Sequence, residues 1–204
     1  MARPREFDER EVLDRALEAF WARGYEGTSI GDLTRATGLV RASLYGAFGD
    51  KQKLYERALA HYVARLGEMI PAPASGGSAR ANIRAMFESY LRLTCPSRGA
   101  HGCFLMIAAG DGPAESDLAA RLSRQSRAAI VKLLRAELRR GAESGELSSS
   151  VDPARLASVL MLLLQGIAAA ARAGRPRAEL DKTVSAALDA LLPAGRSRSS
   201  PSAR

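Results

Sequence analysis

Arg41, Ala42, Ser43, Tyr45 and Lys51 bring two cations, two hydroxyls and a small apolar side chain into one short stretch. The nearest histidine, His61, lies in no nucleophile or metal-ligand motif, so nothing marks this as a catalytic set. The residue types suit another chemistry: hydrogen bonds and ion pairs to phosphate oxygens and to the edges of bases. A helix turns about 100° per residue. Over 40–48 this places Val40, Leu44, Ala47 and Phe48 on one face and Arg41, Ala42, Tyr45 and Gly46 on the other. An apolar side that anchors and a low polar side that reads is what a helix needs to lie in a major groove. Arg41 is the best candidate for bidentate contact with guanine, with a phosphate contact as its alternative; Ala42 suits a thymine methyl, and Ser43 a phosphate or base at the edge of the face.

The elements around this stretch are set by caps and turns. A short helix over 29–36 puts Ile30, Leu33 and Ala36 on one side, and Thr37-Gly38-Leu39 turns the chain into the reader helix. Together these make a helix-turn-helix at about 29–48. Thr28 or Ser29 caps the first of the two helices, and free N–H groups there would make a phosphate site. A longer helix over 8–23 precedes them; Asp8 and Glu11 make a capping-box-like start, and Phe20 and Trp21 pack its core side. A fourth helix runs from its cap at Asp50 to about Met69. Lys51 sits in its first turn, where a cation opposes the helix dipole, so it serves something outside the helix. Arg3 and Arg5, ahead of the first helix, suit a disordered end or a minor-groove arm.

From about Asp8 to Leu66 the chain resembles the N-terminal domain of the TetR/AcrR family of bacterial transcriptional regulators. Gly24-Tyr25, Thr28-Ser29-Ile30, Thr37-Gly38-Leu39, Ser43-Leu44-Tyr45 and Phe48-Gly49-Asp50-Lys51 carry the likeness. The resemblance implies an all-α fold of about nine helices. A helix-turn-helix DNA-binding domain over 6–66 would join, through a long helix, a ligand-binding and dimerisation domain over 79–192. It implies phosphate contacts from Thr28, Tyr45 and Lys51, and a twofold operator bound by a homodimer.

The rest of the chain is helical by pattern. PAPASGGS at 71–78 reads as a linker. Helices follow over 79–94, 103–109, 115–143, 153–173 and 177–192, and a polar, basic, disordered tail over 193–204. Asp152-Pro153 is a strong start signal. The run Val159–Leu164 is apolar nearly all round, yet too short to span a membrane. It can serve a core and a partner together. The dimer residues expected are Leu160, Leu163, Leu164, Ile167, Ala171, Val184, Leu188 and Leu191, in the four-helix interface that the resemblance implies. The resemblance also implies an effector pocket among these helices. Its lining is expected from Phe87, Tyr90, Leu91, Cys103, Phe104, Met106, Ile107, Met161 and Gln165. Cys103, opening an apolar helix after His101-Gly102, is either an inert core thiol or, with Cys95 and His101, a thiol or metal sensor. The cationic line Arg121, Arg124, Lys132, Arg135 and Arg139 reads as a solvated face.

Bulk properties narrow the field. The chain has 204 residues, two cysteines, two histidines and a net charge of +8. Two cysteines make no disulfide framework, and the N-terminus lacks an apolar signal region, so a cytoplasmic protein is expected. The net charge itself points to no partner. Residues 1–60 hold ten basic and ten acidic side chains, and the excess lies beyond them. Neither His61 nor His101 lies in an HExxH or similar motif, and GxSxG is absent, so neither catalysis nor a cofactor is expected. The partners expected are an inverted-repeat DNA, a second copy of the chain and an unidentified small molecule. A DNA binder that is constitutive, or that responds to thiol chemistry or metal through Cys103, is the alternative.

Overall fold

The computed structural model describes residues 7–69, 77–95, 102–111, 117–148 and 150–193. Arg3, Arg5, His101 and the tail beyond Pro193 lie outside them. Among the described residues there are nine helices: α1 (Glu9–Arg23), α2 (Ile30–Thr37), α3 (Arg41–Phe48), α4 (Lys51–Met69), α5 (Ala79–Thr94), α6 (Phe104–Asp111), α7 (Leu118–Glu143), α8 (Pro153–Arg172) and α9 (Arg177–Leu191). The chain is all-α, as expected, and forms two compact units. One holds α1–α4, α6 and the start of α7; the other holds α5, the remainder of α7, α8 and α9.

In the first unit, α1, α2, α3 and α4 bury Leu17, Phe20, Leu33, Leu44, Leu54 and Leu59. Aromatic rings fill the centre edge to face. Phe20 and Tyr55 have centroids 5.0 Å apart, as do Trp21 and Tyr62. Phe104 of α6 closes on Tyr55 at 5.7 Å and Tyr62 at 5.8 Å. Rings so arranged add about 0.5–1.5 kcal/mol per pair beyond the area they bury. Phe20 and Trp21 are core, as their spacing implied. The capping box expected at Asp8 is incomplete: Asp8 accepts from the Arg10 N–H, while Glu11 pairs with Arg15 one turn on. The full box stands at α2, where Ser29 and Asp32 cap each other's backbone N–H groups. Gly38 ends α2 at φ 74°, the left-handed conformation that glycine adopts without strain.

In the second unit, α5 contributes Ile83, Phe87 and Leu91, α7 contributes Leu134 and Leu138, α8 contributes Leu160 and Leu164, and α9 contributes Val184 and Leu188. The start of α5 is capped from a distance. The Glu146 carboxylate accepts from the Ala79 and Arg80 N–H groups at 2.7 and 3.0 Å and from the Ser78 hydroxyl. Burial alone would raise this carboxyl; the three hydrogen bonds and nearby Arg140 outweigh it and hold the group below the usual range. Its stabilisation is therefore full above the unfolded value of about 4.3 and is lost as pH falls through the depressed folded value. Glu146→Gln is expected to cost about 1 kcal/mol at neutral pH and to flatten the acid limb of the stability curve. Chemical denaturation from pH 3 to 7 checks this; an unchanged acid limb would exclude the cap as its source.

The dimer residues expected from sequence need correction. Leu160, Leu164, Ile167, Ala171, Val184 and Leu188 are buried within their own subunit, and Leu163 and Leu191 are half-buried. The apolar face that α8 turns outward is a different one. Val159 is 44% and Leu162 66% exposed, and Gly166 and Ala169 continue that line at i, i+3, i+7 and i+10. On α9 the exposed Thr183, Ala186 and Ala190 form a matching stripe. The apolar stretch is also longer than Val159–Leu164: α8 has 20 residues and a mean hydropathy of 1.7 over 18 of them, enough by length and composition to cross a membrane. Only a third of that window is buried.

Candidate nucleic-acid interface

The α3 helix shows why its sequence alternates as it does. Leu44 and Phe48 are buried and fasten it, while Arg41, Ala42, Ser43 and Gly46 are exposed and Tyr45 is half-buried. Arg57 of α4 secures its C-terminal end. The guanidinium donates to the Ala47 carbonyl at 3.4 Å, lies 4.9 Å over the Phe48 ring and pairs with Glu9 of α1. Arg57 is a positioning residue that sequence reasoning missed, because its carboxylate partner, Glu9, lies on α1, far away in sequence.

Val40 departs from the expected pattern. It was placed with Leu44 on the inward face, but it is 68% exposed. It is the N-cap of α3, with φ −68° and ψ 155°, so the helical wheel does not govern its direction. It makes no side-chain cap hydrogen bond. Valine there in place of serine or aspartate forgoes about 1 kcal/mol of helix stability.

Thr28 also needs correction. Its side chain is fully buried and its hydroxyl donates to the Gly24 carbonyl at 2.6 Å, satisfying an acceptor at the end of α1. A direct phosphate contact from this hydroxyl is closed off; Thr28 holds the α1–α2 corner instead. The cap of α2 is Ser29, whose hydroxyl is engaged with Asp32 at 2.6 Å. Arg23 lies 2.6 Å from the same carboxylate, and Arg35 pairs with it too. These contacts, led by the hydrogen bonds from Ser29, depress the Asp32 carboxyl far below its usual range. Of the first N–H groups of α2, those of Ile30 and Gly31 carry no partner among the described residues and remain able to meet a phosphate.

The ion pairs single out two cations. Over 7–69, Arg10, Arg15, Arg23, Arg35, Lys53, Arg57 and Arg65 each pair with a carboxylate. Arg41 and Lys51 alone have none among the described residues. Each lies against an aromatic ring instead: Arg41 5.5 Å from the Tyr45 centroid, Lys51 4.2 Å from that of Tyr25. A ring steadies a cation without neutralising it. Both charges thus stay available to a polyanion.

The residues expected to line an effector pocket are spread over both units. Phe87, Tyr90 and Leu91 are buried in the second unit, where Met161 and Gln165 are half-buried. Phe104 belongs to the aromatic core of the first unit, Ile107 is half-buried, and Met106 is exposed. In the second unit a cleft of about 350 Å³ opens between α5 and α9, lined by Arg84, Leu91, Arg92, Arg177, Asp181 and Val184 among others. Leu91 is the single expected pocket residue that reaches it. Cys103 is buried, and Tyr62 donates to its sulfur at 3.5 Å. Cys95, the C-cap of α5, is buried as well.

Residues 12–58 match the family described as bacterial regulatory proteins, tetR family, and residues 79–187 match the tetracyclin repressor-like C-terminal domain. The HTH-type transcriptional repressor ComR of Escherichia coli (strain K12) is 29% identical over 179 residues, 84% of this chain and 83% of that protein. An uncharacterized HTH-type transcriptional regulator of Bacillus subtilis (strain 168), YezE, is 36% identical over 132 residues, 62% of this chain and 66% of that protein. Among solved structures, a cysteine-substituted form of the TetR family transcriptional regulator CifR, complexed with 26 bp double-strand operator DNA, superposes with a TM-score of 0.77 at 34% identity, over 91% of this chain and 98% of that one.

Proposed function

This chain belongs to the TetR family of bacterial transcriptional regulators, which bind DNA, and we propose that it is a homodimeric repressor of the cytoplasm, released from an inverted-repeat operator by a small molecule. The observation that carries the DNA-binding site is the pair of unneutralised cations, Arg41 on α3 and Lys51 at the start of α4, in a stretch, 7–69, whose other arginines and lysines are ion-paired. Tyr45 supplies a hydroxyl between them in sequence, and Ala42, Ser43 and Gly46 leave the face low. Arg41 reads a base edge; Lys51 and Tyr45 hold phosphates.

Two reader helices are needed, because one covers too few base pairs. A dimer places them about 34–36 Å apart on a twofold site. The outward stripes of α8 and α9 support that dimer, with Gly166 and Ala169 allowing close helix approach. The name of ComR supports the sign of regulation. An effector releases the operator to the extent that it binds the DNA-incompetent state more tightly.

Arg41→Ala is expected to lower affinity for the selected operator by about ten- to a hundredfold and to flatten the preference at one base step. Lys51→Ala weakens every duplex alike and reduces the salt slope by about one per subunit, about two for the dimer. Site selection from random duplexes, followed by titrations over a range of salt, checks both. Equal losses on operator and scrambled DNA for Arg41→Ala would move Arg41 to a phosphate.

A thiol response is the second reading. The buried Cys103 sulfur accepts a hydrogen bond from Tyr62 inside the aromatic core of the DNA-binding unit. Two of the cysteines substituted in a CifR operator complex stand eight positions apart, as Cys95 and Cys103 do here. If Cys103→Ser responds to electrophiles and oxidants as the wild type does, this reading is excluded.

A further inference from the structure

We propose that Val40 reads the C5-methyl group of thymine at the edge of each half-site. The inference rests on the DNA-binding reading above and adds a specificity residue to it. Val40 is the most exposed large apolar side chain among the described residues, at 68%. It also occupies the one position of α3 where a polar side chain would cap the helix, and leaves that cap unmade. Two local losses therefore coincide at one residue: an isopropyl group in water and a missing hydrogen bond. Neither stabilises the free protein, and such departures from local consistency gather where a surface serves a partner.

The position narrows the partner. In helix-turn-helix readers the N-terminal residues of the second helix meet the base edges. Val40 begins that helix, and Arg41, Ala42 and Ser43 after it are all exposed. A second departure lies further along the same helix. A Cβ added at Gly46 would meet nothing within 4 Å, so the fold has no packing reason for a glycine there. Close approach of the helix backbone to DNA supplies one. An isopropyl group can neither donate nor accept a hydrogen bond. In the major groove its complement is the thymine methyl, since the other base edges present donors and acceptors.

The test uses the full-length protein and the operator obtained by site selection. Each thymine is replaced in turn by deoxyuridine, which removes the methyl alone. One position per half-site is expected to lose roughly fourfold in affinity, the effect of one buried methyl, and roughly fifteenfold when both half-sites are changed. Val40→Ala is expected to bind the thymine and deoxyuridine operators equally. Val40→Thr restores a cap acceptor and is expected to melt at a higher temperature than wild type, yet to lose at least half of the methyl discrimination. This opposition of stability and readout is not produced by a merely structural role. The inference is overturned if no thymine is sensitive to loss of its methyl, or if Val40→Ala keeps the discrimination. A loss of affinity by Val40→Ala that is equal on both operators also overturns it, assigning Val40 to the sugar–phosphate backbone. Failure to select any sequence from random duplexes takes down the regulator reading and this inference together, and is distinguishable from the other outcomes.

Discussion

Leu162→Glu is expected to convert the dimer into a monomer and to abolish operator binding while leaving the fold of the subunit intact. Leu162 is 66% exposed, so its own subunit gains little from it. It lies at the centre of the outward α8 stripe of Val159, Leu162, Gly166 and Ala169. In a twofold interface the same patch faces itself, so one substitution acts twice. Each subunit loses about 1.5–3 kcal/mol of leucine burial and gains a carboxylate that opposes its symmetry mate or sits desolvated. The dimer dissociation constant should rise by at least about a hundredfold, equivalent to roughly 3 kcal/mol. The monomer would meet only one half-site, and operator affinity should fall at least as far. Sedimentation equilibrium together with operator titration checks this, with far-UV circular dichroism as the control for folding. A stable dimer would refute the outward α8 face as the interface. A monomer that still binds the full operator tightly would refute the need for two readers. The control variant is Leu160→Ala: Leu160 is fully buried, so it should unfold the subunit more readily without selectively affecting dimerisation.

The sequence is most legible where one physical signal acts alone. Helix ends are of this kind. The bounds of α5, Ala79–Thr94, follow from pattern, and Asp50 and Asp152 cap α4 and α8 as their residue types imply. Legibility fails where two signals overlap. The run in α8 is apolar on two faces, so periodicity identifies a two-sided helix but cannot tell the side turned to the subunit's own α5 and α9 from the side turned outward. The richer face, with Leu160, Leu164 and Ile167, goes to the core. At Val40 a helical projection was carried one residue ahead of the first helical residue, Arg41, onto a residue with extended backbone. Thr28 and Ser29 are adjacent and equally suited to capping. Only the fold shows that Ser29 caps and that Thr28 turns inward to the Gly24 carbonyl. Arg41 and Lys51 were legible as residue types. That they alone escape neutralisation over 7–69 depends on partners such as Glu9 for Arg57 and Asp14 for Arg65, far apart in sequence.

Gly102→Ala should be among the most destabilising small substitutions in the second unit. Gly102 has φ +70°, a conformation that costs any other residue of ordinary chirality about 1–3 kcal/mol. A Cβ there would lie 2.5 Å from the Ala168 carbonyl oxygen of α8 and 3.2 Å from the Arg172 Cβ. The nearer atom is backbone in a helix interior and cannot swing aside. Either α8 shifts or the Gly102 N–H gives up its 3.2 Å bond to the Thr94 carbonyl at the end of α5. Overpacking of this kind costs about 1–3 kcal/mol. Together the two effects predict a loss of about 2–6 kcal/mol, or roughly 5–20 °C in melting temperature for a chain of this size. Gly46→Ala is the comparison that isolates the cause, since a Cβ there meets nothing and the helix should gain about 1 kcal/mol. Scanning calorimetry of the two variants against wild type should therefore give shifts of opposite sign. If Gly102→Ala melts with the wild type, the close approach of α8 to Gly102 is not a feature of the folded protein, and Gly102 would be no more than a loop residue.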